Sequence, residues 1–156
     1  MSQEKKSKKR DRRSAGFSLI EIMVVVMIMG MLASLVGVAV MAQYKKAQRK
    51  AAIIQIKNFE SALNLYYTDM SRYPTTDQGL RALVQAPNPA PKNYPPNGYL
   101  SGGNVPPDPW GNDYIYLSPG SNNKPYTIES YGPDGMDGGE GDNADVESWN
   151  IDGTAK

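Results

Sequence analysis

The chain has 156 residues with no cysteine, no histidine and a formal net charge of +1. It therefore lacks the residues for a disulfide, the usual ligands of a transition metal and the base of a Ser-His or Cys-His nucleophile pair. Basic residues are enriched in the first sixteen positions, which leaves the rest of the chain net acidic. Without residues for such catalysis we do not expect an enzyme. The acidic remainder lacks the basic face that phosphate recognition requires, so we do not expect a nucleic-acid-binding protein.

An uncharged apolar run from Ile22 to Ala42 follows the basic N-terminus. As a helix with about 1.5 Å of rise per residue, this run reaches roughly 30 Å, the thickness of a bilayer hydrocarbon core. Lysines and arginines that flank a span stay in the cytoplasm, so the N-terminus is expected inside and the C-terminal part outside. No small-residue cleavage site follows the run, as it would in a secretory signal peptide. The sequence predicts a single-pass membrane protein.

Glu21 is a lone carboxylate at the start of this apolar segment. An acidic side chain inside a spanning helix costs about 2.5 kcal/mol or more, so it is a candidate for function and needs a partner. The alternative is a carboxylate that reaches back to the cytoplasmic interface.

The hexapeptide Gly16-Phe17-Ser18-Leu19-Ile20-Glu21 precedes the uninterrupted apolar run. It resembles the class III signal of the type IV pilins and pseudopilins. The resemblance implies that a prepilin peptidase cuts after Gly16 and removes residues 1–16 as a leader, and that Phe17 is N-methylated. It also implies that Glu21 pairs with the Phe17 amine of a neighbouring subunit during assembly. Residues 17–42 would then form both the transmembrane helix and the core of a filament.

Beyond Gln43 the sequence is amphipathic and contains no helix breaker before Pro74. Apolar residues recur there at alternating steps of four and three: Ala52, Ile56, Phe59, Leu63, Tyr66 and Met70. This spacing marks one face of an α-helix, and the lysines and arginines lie mainly off it. We predict one helix from about residue 18 to about residue 70, with residues 43–70 as the spine of a globular domain.

Short elements are predicted after the spine. Pro74 blocks continuation of the helix, and Thr76 or Asp77 can cap a short helix at about 77–85. The five prolines between residues 87 and 96 suit a surface loop, which is either a connector or a contact between subunits.

Two short strands are predicted at residues 114–117 and 126–130. Ahead of them, Asp108-Pro109-Trp110-Gly111 has the chemistry of a turn, with proline second and glycine fourth. The expected architecture is α+β, in which the long helix packs against a small antiparallel sheet. The sheet and an acidic loop would lie within residues 97–152 of an exported domain that spans 43–156.

Residues 131–145 are acidic and rich in glycine. The carboxylates repel one another and the glycines make ordering costly, so the loop needs a counter-charge to hold one shape. Hard oxygen ligands favour calcium, which takes oxygens from carboxylates and backbone carbonyls. The spacing is not that of an EF-hand, because Met136 and Gly138 stand where that loop needs oxygen side chains. From these residues alone, a calcium site and a solvated, disordered loop both stay open.

Two further segments carry a second resemblance. Arg72-Tyr73-Pro74-Thr75-Thr76 and Asp108-Pro109-Trp110-Gly111 resemble stretches of the major pseudopilins of type II secretion systems. This resemblance implies a type IV pilin-like fold, a long N-terminal helix against a small sheet, with a calcium loop near the C-terminus.

The same resemblance implies a set of Ca²⁺ ligands. Asp134 and Asp145 would bind through their side chains, and Tyr131 and Met136 through their backbone carbonyls. The remaining carboxylates of the loop follow in this order of preference: Asp142, then Asp137 and Glu140.

The function implied is that of a structural subunit of the inner membrane. Such subunits polymerise into the periplasmic pseudopilus of a type II secretion system, which drives export of folded proteins across the outer membrane. The implied partners are further copies of the chain, minor pseudopilins, the inner-membrane assembly platform, the secretion ATPase and the prepilin peptidase.

Two alternatives stay open. A type IV pilin or competence pseudopilin would keep the class, although many such pilins close a C-terminal loop with a disulfide that this chain cannot form. A membrane-anchored, calcium-dependent binding module that never polymerises would change the class, and would leave Phe17 and Glu21 without a purpose.

Overall fold

The computed structural model describes residues 16–151, apart from the side chains at positions 35 and 36. The predicted leader, except for Gly16, lies outside these residues. The chain divides into two compact units, Met1–Met41 and Ala42–Lys156. The helices and strands, in chain order, are α1 (Leu19–Met70), a 3₁₀ helix (Leu80–Leu83), β1 (Ile115–Leu117), β2 (Thr127–Ser130), a second 3₁₀ helix (Gly141–Asn143) and β3 (Val146–Glu147).

Helix α1 begins and ends close to where the sequence predicts. At its N-terminus the carbonyl of Ser18 accepts hydrogen bonds from the backbone N–H groups of Glu21, at 3.0 Å, and Ile22, at 3.2 Å. At its C-terminus Ser71 adopts a left-handed conformation with φ of 56°. The N–H of Ser71 still bonds to the carbonyl of Tyr67 at 2.7 Å, which closes the last turn ahead of Pro74.

The core of the second unit is the apolar stripe of α1. Five of the six predicted stripe residues are fully buried, and they are Ala52, Ile56, Phe59, Leu63 and Tyr66. The sixth, Met70, is partly buried against the same cluster. The helical period therefore predicted the buried face correctly.

The short helix expected at about 77–85 is smaller than predicted. Only Leu80–Leu83 is helical, as a single 3₁₀ turn, because Gly79 before it adopts φ of 58°. The cap also differs. Thr75 and Gln78 exchange hydrogen bonds at 3.0 and 3.3 Å, while the hydroxyl of Thr76 accepts a hydrogen bond from the N–H of Ser118 at 2.9 Å.

A three-stranded antiparallel sheet, in the order β1-β2-β3, completes the domain. Tyr116 pairs with Ile128 and Ser130 with Val146. The side chains of Tyr116, Ile128 and Val146 are buried in the same cluster as the α1 stripe. The predicted α+β architecture is therefore confirmed, with one correction, because β3 was not predicted. Two residues are too few to show an alternating pattern.

The buried stripe generates a test of the fold. Phe59 is fully buried and its ring meets that of Tyr114 edge to face, with centroids 5.1 Å apart. Replacing Phe59 by alanine should lower the free energy of unfolding by about 3–5 kcal/mol, because contacts are lost and a cavity is left. Denaturant unfolding of the detergent-solubilised chain, followed by near-ultraviolet circular dichroism, measures this change.

The matched control is Leu65→Ala on the same helix. Leu65 is 58% exposed, so its replacement should change the stability by no more than about 0.5 kcal/mol. Equal losses in the two variants would contradict the assignment of the buried face.

Candidate functional site

The predicted processing site lies at the start of α1. Gly16, Phe17 and Ser18 precede the helix, and Phe17 is 78% exposed. A peptidase needs exposed backbone outside regular structure, and this junction offers it. Glu21 lies in the first turn of α1 and is exposed. Within residues 16–151 no cation pairs with Glu21.

The segment after this junction exposes an apolar surface. Its large apolar side chains from Leu19 to Met41, where described, are about half exposed or more. The helix is long and apolar enough to cross a membrane. Exposed apolar surface on this scale indicates burial in a bilayer or against other proteins rather than contact with water.

The second candidate site is the acidic loop, residues 131–145, which joins β2 to β3. Because Ser130 pairs with Val146, the next residues outward, Tyr131 and Asp145, stand opposite each other at the base of the loop. The sheet register thus brings together two predicted ligands that are far apart in sequence. Because the sequence did not predict β3, this relation could not be inferred from it.

The loop turns back on itself through glycine. Gly139 has φ of 93°, and a Cβ atom there would lie 2.5 Å from the carbonyl oxygen of Asn143. A side chain at this position would therefore force the backbone apart. The turn allows the N–H of Gly138 to donate to Oδ2 of Asp145 at 2.8 Å, and the N–H of Met136 donates to Oδ1 of Asp134 at 3.2 Å.

The carboxylate of Asp145 is influenced by several charged groups around it. Its Oδ1 atom is buried and has no hydrogen-bond partner among the described residues. Burial raises the pKa of this carboxyl above its usual value, and the hydrogen bond from Gly138 opposes the rise. The nearby charges of Asp137 and Asp134 raise the pKa further. The charge of Arg49 opposes this rise in part. A buried carboxylate oxygen that has no partner among the described residues and lies near two other carboxylates favours a cation.

Two glutamates on the sheet add to this charge. Glu129 on β2 and Glu147 on β3 are directly opposite each other, an arrangement that destabilises a sheet when both are charged. Burial raises the pKa of both side chains, and the charges of Asp137 and Asp145 raise them further. The loop and the adjacent sheet face therefore form one acidic region.

The first residues of the loop are held by the predicted turn at Asp108. The N–H of Gly111 bonds to the carbonyl of Asp108 at 3.0 Å, which confirms the turn. The Asp108 carboxylate is buried and accepts hydrogen bonds from the N–H groups of Trp110, at 3.0 Å, and Asn112, at 2.8 Å, and from the Ser130 hydroxyl. Asn112 in turn donates to the carbonyl of Gly132 at 2.9 Å, which fixes the start of the loop.

The last residues of the loop are held by cations of α1. Lys45 forms an exposed ion pair with Asp142 at 2.7 Å, and this hydrogen bond lowers the pKa of the Asp142 carboxyl. Arg49 donates one hydrogen bond to the carbonyl of Ala144 at 2.6 Å and another to that of Asp145 at 3.0 Å. Asp142, the first of the secondary ligand candidates, is thus engaged with Lys45.

The predicted ligands include both side chains and backbone carbonyls. Among residues 16–151, no three acidic side chains converge closely enough to hold a metal ion by themselves. The carbonyl oxygens of Tyr131 and Met136 accept no hydrogen bond from any described residue. A metal ion in this loop would therefore need carbonyl oxygens in addition to Asp134 and Asp145, the kind of mixed oxygen set that calcium takes.

Comparison with known proteins decides the family. The model of the type II secretion system protein G family matches residues 39–149, and that of the prokaryotic N-terminal methylation motif matches residues 11–37. The chain is 49% identical to the type II secretion system core protein G of Vibrio cholerae serotype O1, over 92% of this chain and 97% of that one. The chain belongs to the type II secretion system protein G family.

Further members of the protein G family agree with this assignment. The Pseudomonas aeruginosa core protein G is 47% identical, over 88% of this chain and 96% of that protein. The crystal structure of the major pseudopilin from the type 2 secretion system of enterohaemorrhagic Escherichia coli matches with a TM-score of 0.59 at 42% identity. That match covers 70% of this chain and 93% of the crystallised one, and supports the type IV pilin-like fold. The two alternative functions are not better supported.

The sequence pattern did not reveal the residues that hold the acidic loop in place, which are Lys45, Arg49, Asp108 and Asn112. It also did not reveal the two glutamates that add to the negative charge of the loop, Glu129 and Glu147. The turn at Asp108 was recognised, but not its buried bond to Ser130. The lysines and arginines of α1 were noted only as lying off the apolar stripe. Contacts such as that of Arg49 with Asp145 join residues nearly a hundred positions apart, and a single sequence carries no signal for them.

Proposed function

We propose that this chain polymerises from the inner membrane into a periplasmic pseudopilus that drives folded proteins across the outer membrane. The observation that supports this most strongly is the exposed apolar segment of α1, directly after an exposed processing junction, in a chain of the protein G family. In the filament, copies of this segment would cover one another's apolar surface. The role is structural and requires no catalysis by the chain.

The membrane topology follows from the charge distribution. The basic leader keeps the N-terminus cytoplasmic and the domain from residue 43 onward is periplasmic. The prepilin peptidase removes the leader between Gly16 and Phe17, and Phe17 is then methylated on its new α-amino group. Assembly involves further copies, minor pseudopilins, the inner-membrane assembly platform and the secretion ATPase.

Glu21 provides the electrostatic contact of assembly. Cleavage creates a cationic α-amino group at Phe17, and the carboxylate of Glu21 in the first turn of a neighbour's helix neutralises it. Burying either charge alone in an apolar environment costs much free energy, whereas burying the two as a neutralised pair costs far less. The pairing would therefore select subunits that have been processed.

Replacing Glu21 by alanine should abolish filament formation while leaving the chain in the membrane. The reason is that the variant loses its pairing with a neighbour but also loses the cost of an isolated charge in the monomer. The measurement is filament yield and protein secretion in a bacterium that lacks its own protein G, with membrane levels determined by immunoblot. Intact mass of the extracted protein establishes that the variant is still cut after Gly16.

Ser34→Ala is the matched control in the same helix segment. Among the described residues the Ser34 hydroxyl bonds only to the carbonyl of Met31, at 2.7 Å, so its loss should leave filaments and secretion intact. Filaments of Glu21→Ala in normal yield would refute the role of Glu21.

We further propose that the acidic loop binds Ca²⁺. The ligands would be the side chains of Asp134 and Asp145 and the carbonyls of Tyr131 and Met136. Bound calcium would offset more of the negative charge of the acidic region than Lys45 and Arg49 do, and it would cross-link the loop in a domain that has no cysteine. Two observations on the described part of the chain support this assignment. The buried Oδ1 of Asp145 has no hydrogen-bond partner there, and the carbonyls of Tyr131 and Met136 accept no hydrogen bond there.

Calcium should raise the melting temperature of the chain. A ligand that binds only the folded state stabilises it by RT ln(1 + [L]/Kd), which is about 1.4 kcal/mol at ten times Kd. The detergent-solubilised chain should melt higher in several millimolar calcium than in chelator, as measured by circular dichroism. Asp134→Ala and Asp145→Ala should each remove most of the difference, and Asp137→Ala less of it.

Asp77→Ala is the control for the loss of one negative charge outside the loop. Asp77 is exposed, and this variant should keep the full response to calcium. If the unmodified chain melts at the same temperature in chelator and in calcium, the loop does not bind the ion.

A further inference from the structure

Arg49 holds the backbone of the acidic loop from a distant part of the chain. The Nη1 and Nη2 atoms of its guanidinium donate to consecutive carbonyls, those of Ala144 at 2.6 Å and Asp145 at 3.0 Å. The guanidinium is part-buried and its geometry is a rigid fork. Two hydrogen bonds from one rigid group fix both the position and the orientation of the peptide they reach.

This contact determines where the Asp145 side chain lies. Arg49 fixes the carbonyl of Asp145, β3 begins at the next residue, and the N–H of Gly138 binds Oδ2 at 2.8 Å. With the backbone and one carboxylate oxygen fixed, the position of the other oxygen follows. That other oxygen, Oδ1, is buried and has no hydrogen-bond partner within residues 16–151.

We propose that Arg49 is a positioning residue for calcium binding, which acts by holding the Asp145 carboxylate ready for the ion. The inference rests on the proposed calcium site and adds to it a residue of α1 that would not itself touch the metal. Residues that orient a metal ligand typically change affinity by about 10- to 100-fold when they are replaced.

Replacing Arg49 changes calcium affinity in opposite directions for a positioning role and for a purely electrostatic role. A positive charge close to a calcium site repels the ion, so removal of the charge alone should strengthen binding. Loss of a positioning contact should instead weaken it. Lys45 provides the comparison on the same helix, because it is also paired with the loop but contacts the side chain of Asp142 and neither of the two carbonyls.

Isothermal titration of the detergent-solubilised full chain with calcium chloride tests the proposal. Arg49→Lys keeps the charge but loses the fork, and Arg49→Gln loses both. Each should weaken calcium binding by about tenfold or more. Lys45→Gln, which removes a positive charge and frees the Asp142 carboxylate, should instead strengthen calcium binding. Arg49→Gln with wild-type or tighter affinity would overturn the positioning role.

Melting in chelator distinguishes positioning from a purely structural role. The Arg49→Lys variant should melt close to the wild type in chelator and fall behind it only when calcium is added. An equal drop in both conditions means that Arg49 merely stabilises the fold, and the proposal is then wrong. If the wild type itself does not bind calcium, the calcium site fails. If it binds and Arg49→Lys binds equally well, only the inference about Arg49 fails.

Discussion

The rest of the second unit depends on packing against the buried apolar stripe of α1. The domain contains no disulfide, and its strands are two to four residues long, so the sheet cannot be stable by itself. The helix supplies the surface that the strands cover, and residues beside the stripe hold the loops. Gln48 donates to the carbonyl of Pro109 at 3.1 Å, and Arg49 reaches the end of the acidic loop one residue further along α1.

The same helix has two different surfaces along its length. Near its N-terminus every described large apolar side chain is exposed, whereas from Ala52 onward the apolar residues of one face are buried. The exposed part suits a bilayer or the interior of a filament, and the buried part suits a water-soluble domain. A subunit of the protein G family that moves from membrane to filament would exchange the neighbours of the first part while keeping those of the second.

The features that could be predicted from the sequence have either a pattern that repeats over many residues or a motif of a few neighbouring residues. The ends and the buried face of α1 follow from a period repeated over many turns, and the turn at Asp108 follows from proline and glycine at fixed positions. The strand β3 and the contacts of Lys45 and Arg49 with the loop depend on tertiary structure. The shortening of the second helix has a local cause, because Gly79 before it adopts a positive φ. The predicted ligands Tyr131 and Asp145 came from resemblance, and only the register of β2 and β3 explains why they are neighbours.

We propose that the spine of α1 holds the ends of the acidic loop in position, and that bound calcium orders the rest of the loop. Amide hydrogen exchange of the full chain, with calcium and with chelator, tests this claim most directly. Calcium should slow exchange within residues 134–141 and at Gly138 in particular, while the amides of the buried α1 stripe should exchange at the same rate in both conditions. Loop amides that exchange equally fast with and without calcium, or a uniform change across helix and loop, would contradict the account.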